Sequence, residues 1–182
     1  MEDWAPDRCF KALQGTAKHL SAYCLDTLRQ PNLHWTKHHG FSATPLSTDE
    51  ALKDPMLACI DDQFPILMAG ILMLPPKRSY LWHRDTDRGT SINMLLTAHD
   101  SSHCWFGKPL DHVNIDLVEL RYQPHTLYLF NNQWVHTVFN MAKPRYLFSV
   151  EFAQTKTQLS YRQLLAWAQQ AQLVDPAQTT AA

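Results

Sequence analysis

The sequence predicts a mainly β fold, an antiparallel sheet closed or sandwiched as a jelly roll or small barrel, with a helix on either side. Three observations predict it. Between residues 65 and 153, eight short β-type runs alternate with turn residues, a strand density typical of sandwiches and barrels. Ahead of them, apolar side chains recur at helix-like spacing. Behind them, Ser160-x-x-Gln163 is a capping-box pattern that opens an amphipathic stretch.

Residues 7–30 carry Phe10, Leu13, Ala17, Leu20, Cys24 and Leu28 at helical spacing, and Pro31 ends the pattern. Residues 31–64 are rich in Pro, Asn, His, Ser and Thr without a regular apolar repeat, so irregular chain or a lid is expected there. The β-type runs are 66–74, 80–83, 91–97, 103–106, 113–120, 126–130, 136–139 and 145–152. Turn residues such as Pro75-Pro76, Gln123-Pro124 and Lys143-Pro144 separate them. Leu164, Leu165, Trp167, Ala168 and Leu173 give residues 159–174 an apolar helical face, which would also suit a homodimer contact. The tail 176–182 is expected to fray.

At 182 residues the chain suits one domain, 1–182, able to bury a core without disulfides. A composition of 45% hydrophobic and 18% charged residues is that of a globular protein rather than a disordered one. The net charge of −1 offers no electrostatic footprint for nucleic acid. Cys9, Cys24, Cys59 and Cys104 are far apart, with no Cys-x-x-Cys pair. The first residues, Met1-Glu2-Asp3-Trp4, lack the basic and apolar regions of a secretory signal, so a reduced, cytoplasmic protein is expected. No membrane association is expected either, because the longest apolar run, 66–74, is too short to span a bilayer.

The chemistry concentrates at His83-Arg84-Asp85. With ten histidines and thirteen aspartates, chance alone yields about one His-x-Asp, so the triplet by itself says little. Position says more. His83 closes the second run, His136 opens the seventh and Arg145 opens the eighth. In a jelly roll the second and seventh strands are neighbours, so the two histidines meet at one barrel mouth. Strand alternation turns Asp85 to the same side as His83. Two histidines and a carboxylate form a facial triad, which fills one face of an octahedral metal, suits Fe(II) and leaves the other face open. Arg145, expected at the same mouth, adds a planar fork that can hold both oxygens of an anionic co-substrate.

These residues are similar to the 2-oxoglutarate/Fe(II)-dependent dioxygenase superfamily, whose double-stranded β-helix, a cupin-like jelly roll, carries His-x-Asp…His…Arg in this order. Within it, residues 83–88 with 91–97, and residues 127–140, resemble the ligand segments of amino-acid and aspartyl/asparaginyl hydroxylase-like members. The resemblance covers residues 65–153. It implies that His83, Asp85 and His136 are the catalytic iron ligands, that Arg145 anchors 2-oxoglutarate, and that O2 takes the remaining position. Hydroxylation of an amino-acid-like small molecule or a peptide side chain, with release of succinate and CO2, is the implied reaction. Tyr80 and Asn93 are candidates for further co-substrate contacts. Arg84 and Arg88 are candidates for a substrate carboxylate, and Trp134 for a wall of the mouth. Tyr80 has a plain alternative as a strand aromatic, Arg84 and Arg88 as solvated turn arginines, and Trp134 as core or sheet packing. Many members carry a serine two residues after the arginine; here that position is Leu147, with Ser149 two further on. Asp85 stands where a halogenase would have a small residue. A cupin-like metalloenzyme that does not use 2-oxoglutarate, and a non-catalytic metal-binding β-barrel, share the same three ligands.

Overall fold

The structure, a computed structural model, describes residues 5–38, 40–97 and 102–174. A 3-10 turn at Pro6–Arg8 leads into β1 (Phe10–Ala12) and α1 (Lys18–Leu28). Then come β2 (Thr36–Lys37), β3 (Ser42–Leu46), α2 (Thr48–Ala51) and α3 (Pro55–Asp61). Eight strands follow: β4 (Ile66–Leu74), β5 (Arg78–His83), β6 (Thr90–Leu95), β7 (Ser102–Pro109), β8 (Ile115–Leu120), β9 (Tyr128–Asn131), β10 (His136–Asn140) and β11 (Arg145–Phe152). The chain returns through α4 (Tyr161–Gln170).

Two antiparallel sheets face each other, one in the order β1-β9-β6-β11-β4-β3-β2 and the other β5-β10-β7-β8. From β4 onward every connection except the β7–β8 hairpin crosses between sheets, which is the winding of a double-stranded β-helix. The expected jelly roll is therefore the fold observed. Its second and seventh strands are hydrogen-bonded neighbours, with His136 opposite His83.

Strand alternation builds two cores. Phe148, Val150 and Phe152 of β11 join Ile71, Ile92, Met94 and Leu129 on the outer side of the larger sheet, packed with Leu20, Leu57, Ile60 and Leu164 of the helices. The intervening Leu95, Tyr128, Phe130 and Leu147 face inward and fill the barrel with Cys104, Phe106 and Leu120. Each fully buried side chain of this size stabilises the fold by roughly 1.5–3 kcal/mol.

The sequence pattern misplaces two segments. The helix expected over 7–30 is confined to Lys18–Leu28, and Phe10–Ala12 instead extends the larger sheet by pairing with β9. Phe10 and Leu13 fit a helical repeat, but Gly15 at φ +81° breaks the chain between strand and helix. The segment 31–64, expected to be irregular, contains two short strands and two short helices. Their caps were legible: Ser47 accepts from Glu50 N–H, and Asp54 from Met56 and Leu57 N–H. At the other end, Ser160 and Gln163 form the capping box of α4. Its apolar face (Tyr161, Leu164 and Ala168) is buried in the chain's own core, and Trp167 sits edge-on to Phe64. The stripe that suited a homodimer is thus covered from within.

All four cysteines are free thiols, and no described helix is long and apolar enough to cross a membrane. The tail 176–182 lies outside the described residues.

Candidate active site

The β5–β10 ladder ends with His83 opposite His136, their ring centroids 4.2 Å apart. Asp85 lies two residues past His83 in the loop 84–89, which the turn between β9 and β10 straps in place. Asp85 N–H donates to the Asn132 carbonyl at 3.0 Å. Gln133 Nε2 donates back to the carbonyls of Asp85 (3.1 Å) and Arg88 (2.7 Å). The result brings Asp85 Oδ1 to 3.5 Å from His83 Nε2 and 3.9 Å from His136 Nε2, with the three potential ligand atoms all within 4.8 Å of one another.

Backbone carbonyls fix both imidazoles. His83 Nδ1 lies 2.7 Å from the Leu81 carbonyl and His136 Nδ1 2.8 Å from that of Trp134. A carbonyl only accepts, so Nδ1 bears the proton and Nε2 keeps its lone pair when the ring is neutral. Burial, reinforced by the neighbouring His83, pushes the His136 pKa down to about 4, which keeps it neutral near pH 7. Burial alone would raise the pKa of Asp85; the hydrogen bond from His83 and the charge of Arg88 outweigh it and hold the carboxyl at about 2. His83 and His136 therefore both direct Nε2 at one oxygen of an ionised carboxylate. Metal–nitrogen bonds near 2.1 Å bring adjacent donors to roughly 3 Å, so the two carboxylate–imidazole separations of 3.5 and 3.9 Å need to close by less than about 1 Å, and no pair of the three is wider than 4.8 Å. The donor set fits a divalent transition metal with an open face.

Aromatic rings enclose the cluster. Phe106 and Phe130 lie 5.7 and 4.9 Å from His136, and Tyr80 lies 4.1 Å from His83. Phe41, just ahead of β3, packs edge-on to Tyr80 at 5.4 Å, with His38 stacked behind it. Part of the segment expected as a lid thus reaches the site.

Arg145 starts β11 beyond the turn that ends β10, so it lies deeper in the barrel than His136, not at the shared mouth the sequence suggested. It is 6% exposed, stands over the Tyr122 ring at 5.8 Å and has no carboxylate partner among the described residues. Burial pushes the Tyr122 hydroxyl far above its usual pKa, so it stays neutral and does not offset the guanidinium charge. Asn93 and Ser149 are register partners on adjacent strands and are also buried. Asn93 donates to Ser91 Oγ at 3.3 Å, and its Oδ1 has no partner among the described residues. Leu147, two residues after Arg145 at the position where the resemblance would place a serine, belongs to the barrel core.

No family model matches the sequence, and no curated protein matches it. Solved structures do. A prolyl-4-hydroxylase of Pseudomonas putida superposes with TM-score 0.58 at 16% identity, over 81% of this chain and 93% of that one. A Trichoplax adhaerens prolyl hydroxylase, in complex with a peptide fragment of the hypoxia inducible factor oxygen degradation domain, gives 0.59 at 15% identity, over 88% and 87%. HygX of Streptomyces hygroscopicus, with nickel, 2-oxoglutarate and hygromycin B bound, gives 0.58 at 14% identity, over 81% and 84%. The chain has the fold of 2-oxoglutarate/Fe(II) oxygenases. At these identities the likeness is one of fold, and the chemistry has to be argued from the residues of this chain.

The remaining expected residues divide. Arg88 forks onto Asp85 Oδ2, through Nε at 2.7 Å and through Nη2. Arg84 is exposed. Trp134 packs against the barrel core and contributes its carbonyl to His136. Asn132 and Gln133 were not singled out from the sequence. The one signal for them was a polar turn placed directly before the second histidine.

Proposed function

We propose that this chain is a non-haem Fe(II)- and 2-oxoglutarate-dependent oxygenase that hydroxylates a C–H of an amino-acid-like small molecule or a peptide side chain, releasing succinate and CO2. The observation that supports it most is the presence, in one barrel, of an open-faced cluster of two histidines and an aspartate together with a buried guanidinium that has no carboxylate partner among the described residues. A buried unpaired charge is strongly unfavourable, and the distal carboxylate of 2-oxoglutarate would offset it through a two-pronged contact. Iron with bound 2-oxoglutarate supplies the activation of O2. The protein's part is to position and to exclude water. His83 and His136 present Nε2, Asp85 presents Oδ1, and Asn93 offers an unpartnered amide atom. Phe106, Phe130 and Leu147 keep the barrel dry around them. The Trichoplax prolyl hydroxylase structure holds a peptide and the HygX structure holds hygromycin B, so this fold accommodates both substrate classes.

The test is succinate release from 2-oxoglutarate with Fe(II) and ascorbate in air, across a panel of free amino acids and small peptides. A substrate that stimulates succinate and gains one oxygen is the expected result; no succinate with any candidate contradicts the proposal. Arg145→Ala should raise the KM for 2-oxoglutarate about 30-fold or more, from the ~2–5 kcal/mol lost when one partner of a buried charge pair is removed. A cupin-like enzyme without this co-substrate would keep its activity in that variant.

A further inference from the structure

We propose that Arg88 and Asn132 clamp Asp85 so that it binds metal through one oxygen only, which makes Arg88 a positioning residue of the metal centre instead of a substrate contact. The inference rests on the metal site proposed above. A carboxylate offers about two lone-pair sites on each oxygen. Oδ2 of Asp85 receives Arg88 Nε at 2.7 Å, Arg88 Nη2, and Asn132 Nδ2 at 2.9 Å. Three N–H donors saturate that oxygen. Oδ1 faces the two imidazole Nε2 atoms alone.

The clamp is itself anchored. The Arg88 carbonyl is held by Gln133 Nε2 at 2.7 Å, and the Asp87 carbonyl by Lys156 N–H at 2.8 Å. Gly89 follows at a close approach, where a Cβ would overlap the Leu159 carbonyl oxygen. Arg88 therefore starts from a fixed backbone, and its planar fork meets a carboxylate that Asn132 holds from the other side. A lysine would supply the charge as a point, without the fork. The chemical consequence is a count of positions. An octahedral ion bound by two histidines and one carboxylate oxygen keeps three positions open. If Asp85 swung to bind through both oxygens, one would close, and a two-atom chelator and O2 could no longer both be accommodated.

The experiment compares wild type, Arg88→Met and Arg88→Lys in Co(II) titrations, reading affinity by calorimetry and coordination by visible absorption. Loss of an outer hydrogen-bond partner typically weakens metal binding about 10–100-fold, and Arg88→Met is expected in that range, with a spectrum shifted toward higher coordination. Arg88→Lys should fall between, and it carries the test alone if the Met variant does not fold. Wild-type Co(II) affinity and spectrum in both variants would overturn the clamp, and a higher KM for substrate alone would then return Arg88 to substrate binding. Failure of the wild type to bind Co(II) would overturn the metal centre and the clamp together, and is distinguishable because none of the three proteins would then bind Co(II), whereas failure of the clamp alone leaves all three binding it equally.

Discussion

His136 and Asp85 sit side by side in one cluster, and their surroundings lower both pKa values, so each makes the fold less stable as pH falls, in a different window. Burial lowers the pKa of His136 from 6.5 to about 4. Between those values the unfolded chain binds a proton that the folded chain refuses, so stability falls as pH drops through that window, by up to roughly 3 kcal/mol. Asp85, held at about 2 against a usual 3.8, contributes stability that is complete above pH 3.8 and is lost as the pH falls from there through about 2. Melting temperatures of the metal-free protein should therefore decline from pH 6.5 to 4.5, and His136→Gln should flatten that decline. An unchanged slope in the variant would place the acid sensitivity elsewhere. At this scale the sequence was informative about which side chains gather, because the meeting of His83, Asp85 and His136 follows from residue type and strand alternation. It said little about Asn132 and Gln133, since their role depends on two loops, remote in sequence, meeting at hydrogen-bond distance. Nor did it show that Arg88 turns toward Asp85: an arginine three residues past an aspartate reads equally well as solvated.

Among the elements, the corner that joins β4, β10 and β11 depends on one amide. Asn140 Nδ2 serves the carbonyls of Leu74, Pro75 and Lys143 at 2.8–2.9 Å, at the opposite end of β10 from His136. Asn140→Ala leaves those buried acceptors unpaired and should cost about 1–3 kcal/mol. A lower urea midpoint with metal affinity close to wild type is the expected pair of results. Weakened metal binding at unchanged stability would show that the corner is coupled to the site in some other way. The long strands were legible because their apolar runs are bounded by Pro and Gly. The short ones were not: Phe10–Ala12 gains its place by pairing with β9, and β2 and β3 by adding to the edge at β4. Such pairing is non-local, and three-residue segments carry no periodicity of their own. The break at Gly15 was the available warning within the apparent helix.

For the whole molecule, the winding between two sheets accounts for the site. It makes β5 and β10 neighbours, sets His83 against His136, and starts β11 with Arg145 farther down the same interior. The order of the eight strands followed from the count of β-type runs, and the likeness to prolyl hydroxylase and HygX folds agrees with it. The depth of Arg145 was not legible, because its position along the barrel depends on which sheet β11 joins. The most direct test is a crystal structure of the protein grown without oxygen, with Mn(II) in place of iron and with 2-oxoglutarate. The expected result is Mn(II) on His83 Nε2, Asp85 Oδ1 and His136 Nε2, with the distal carboxylate of 2-oxoglutarate on Arg145. Metal bound elsewhere, or 2-oxoglutarate seated without contact to Arg145, would contradict it.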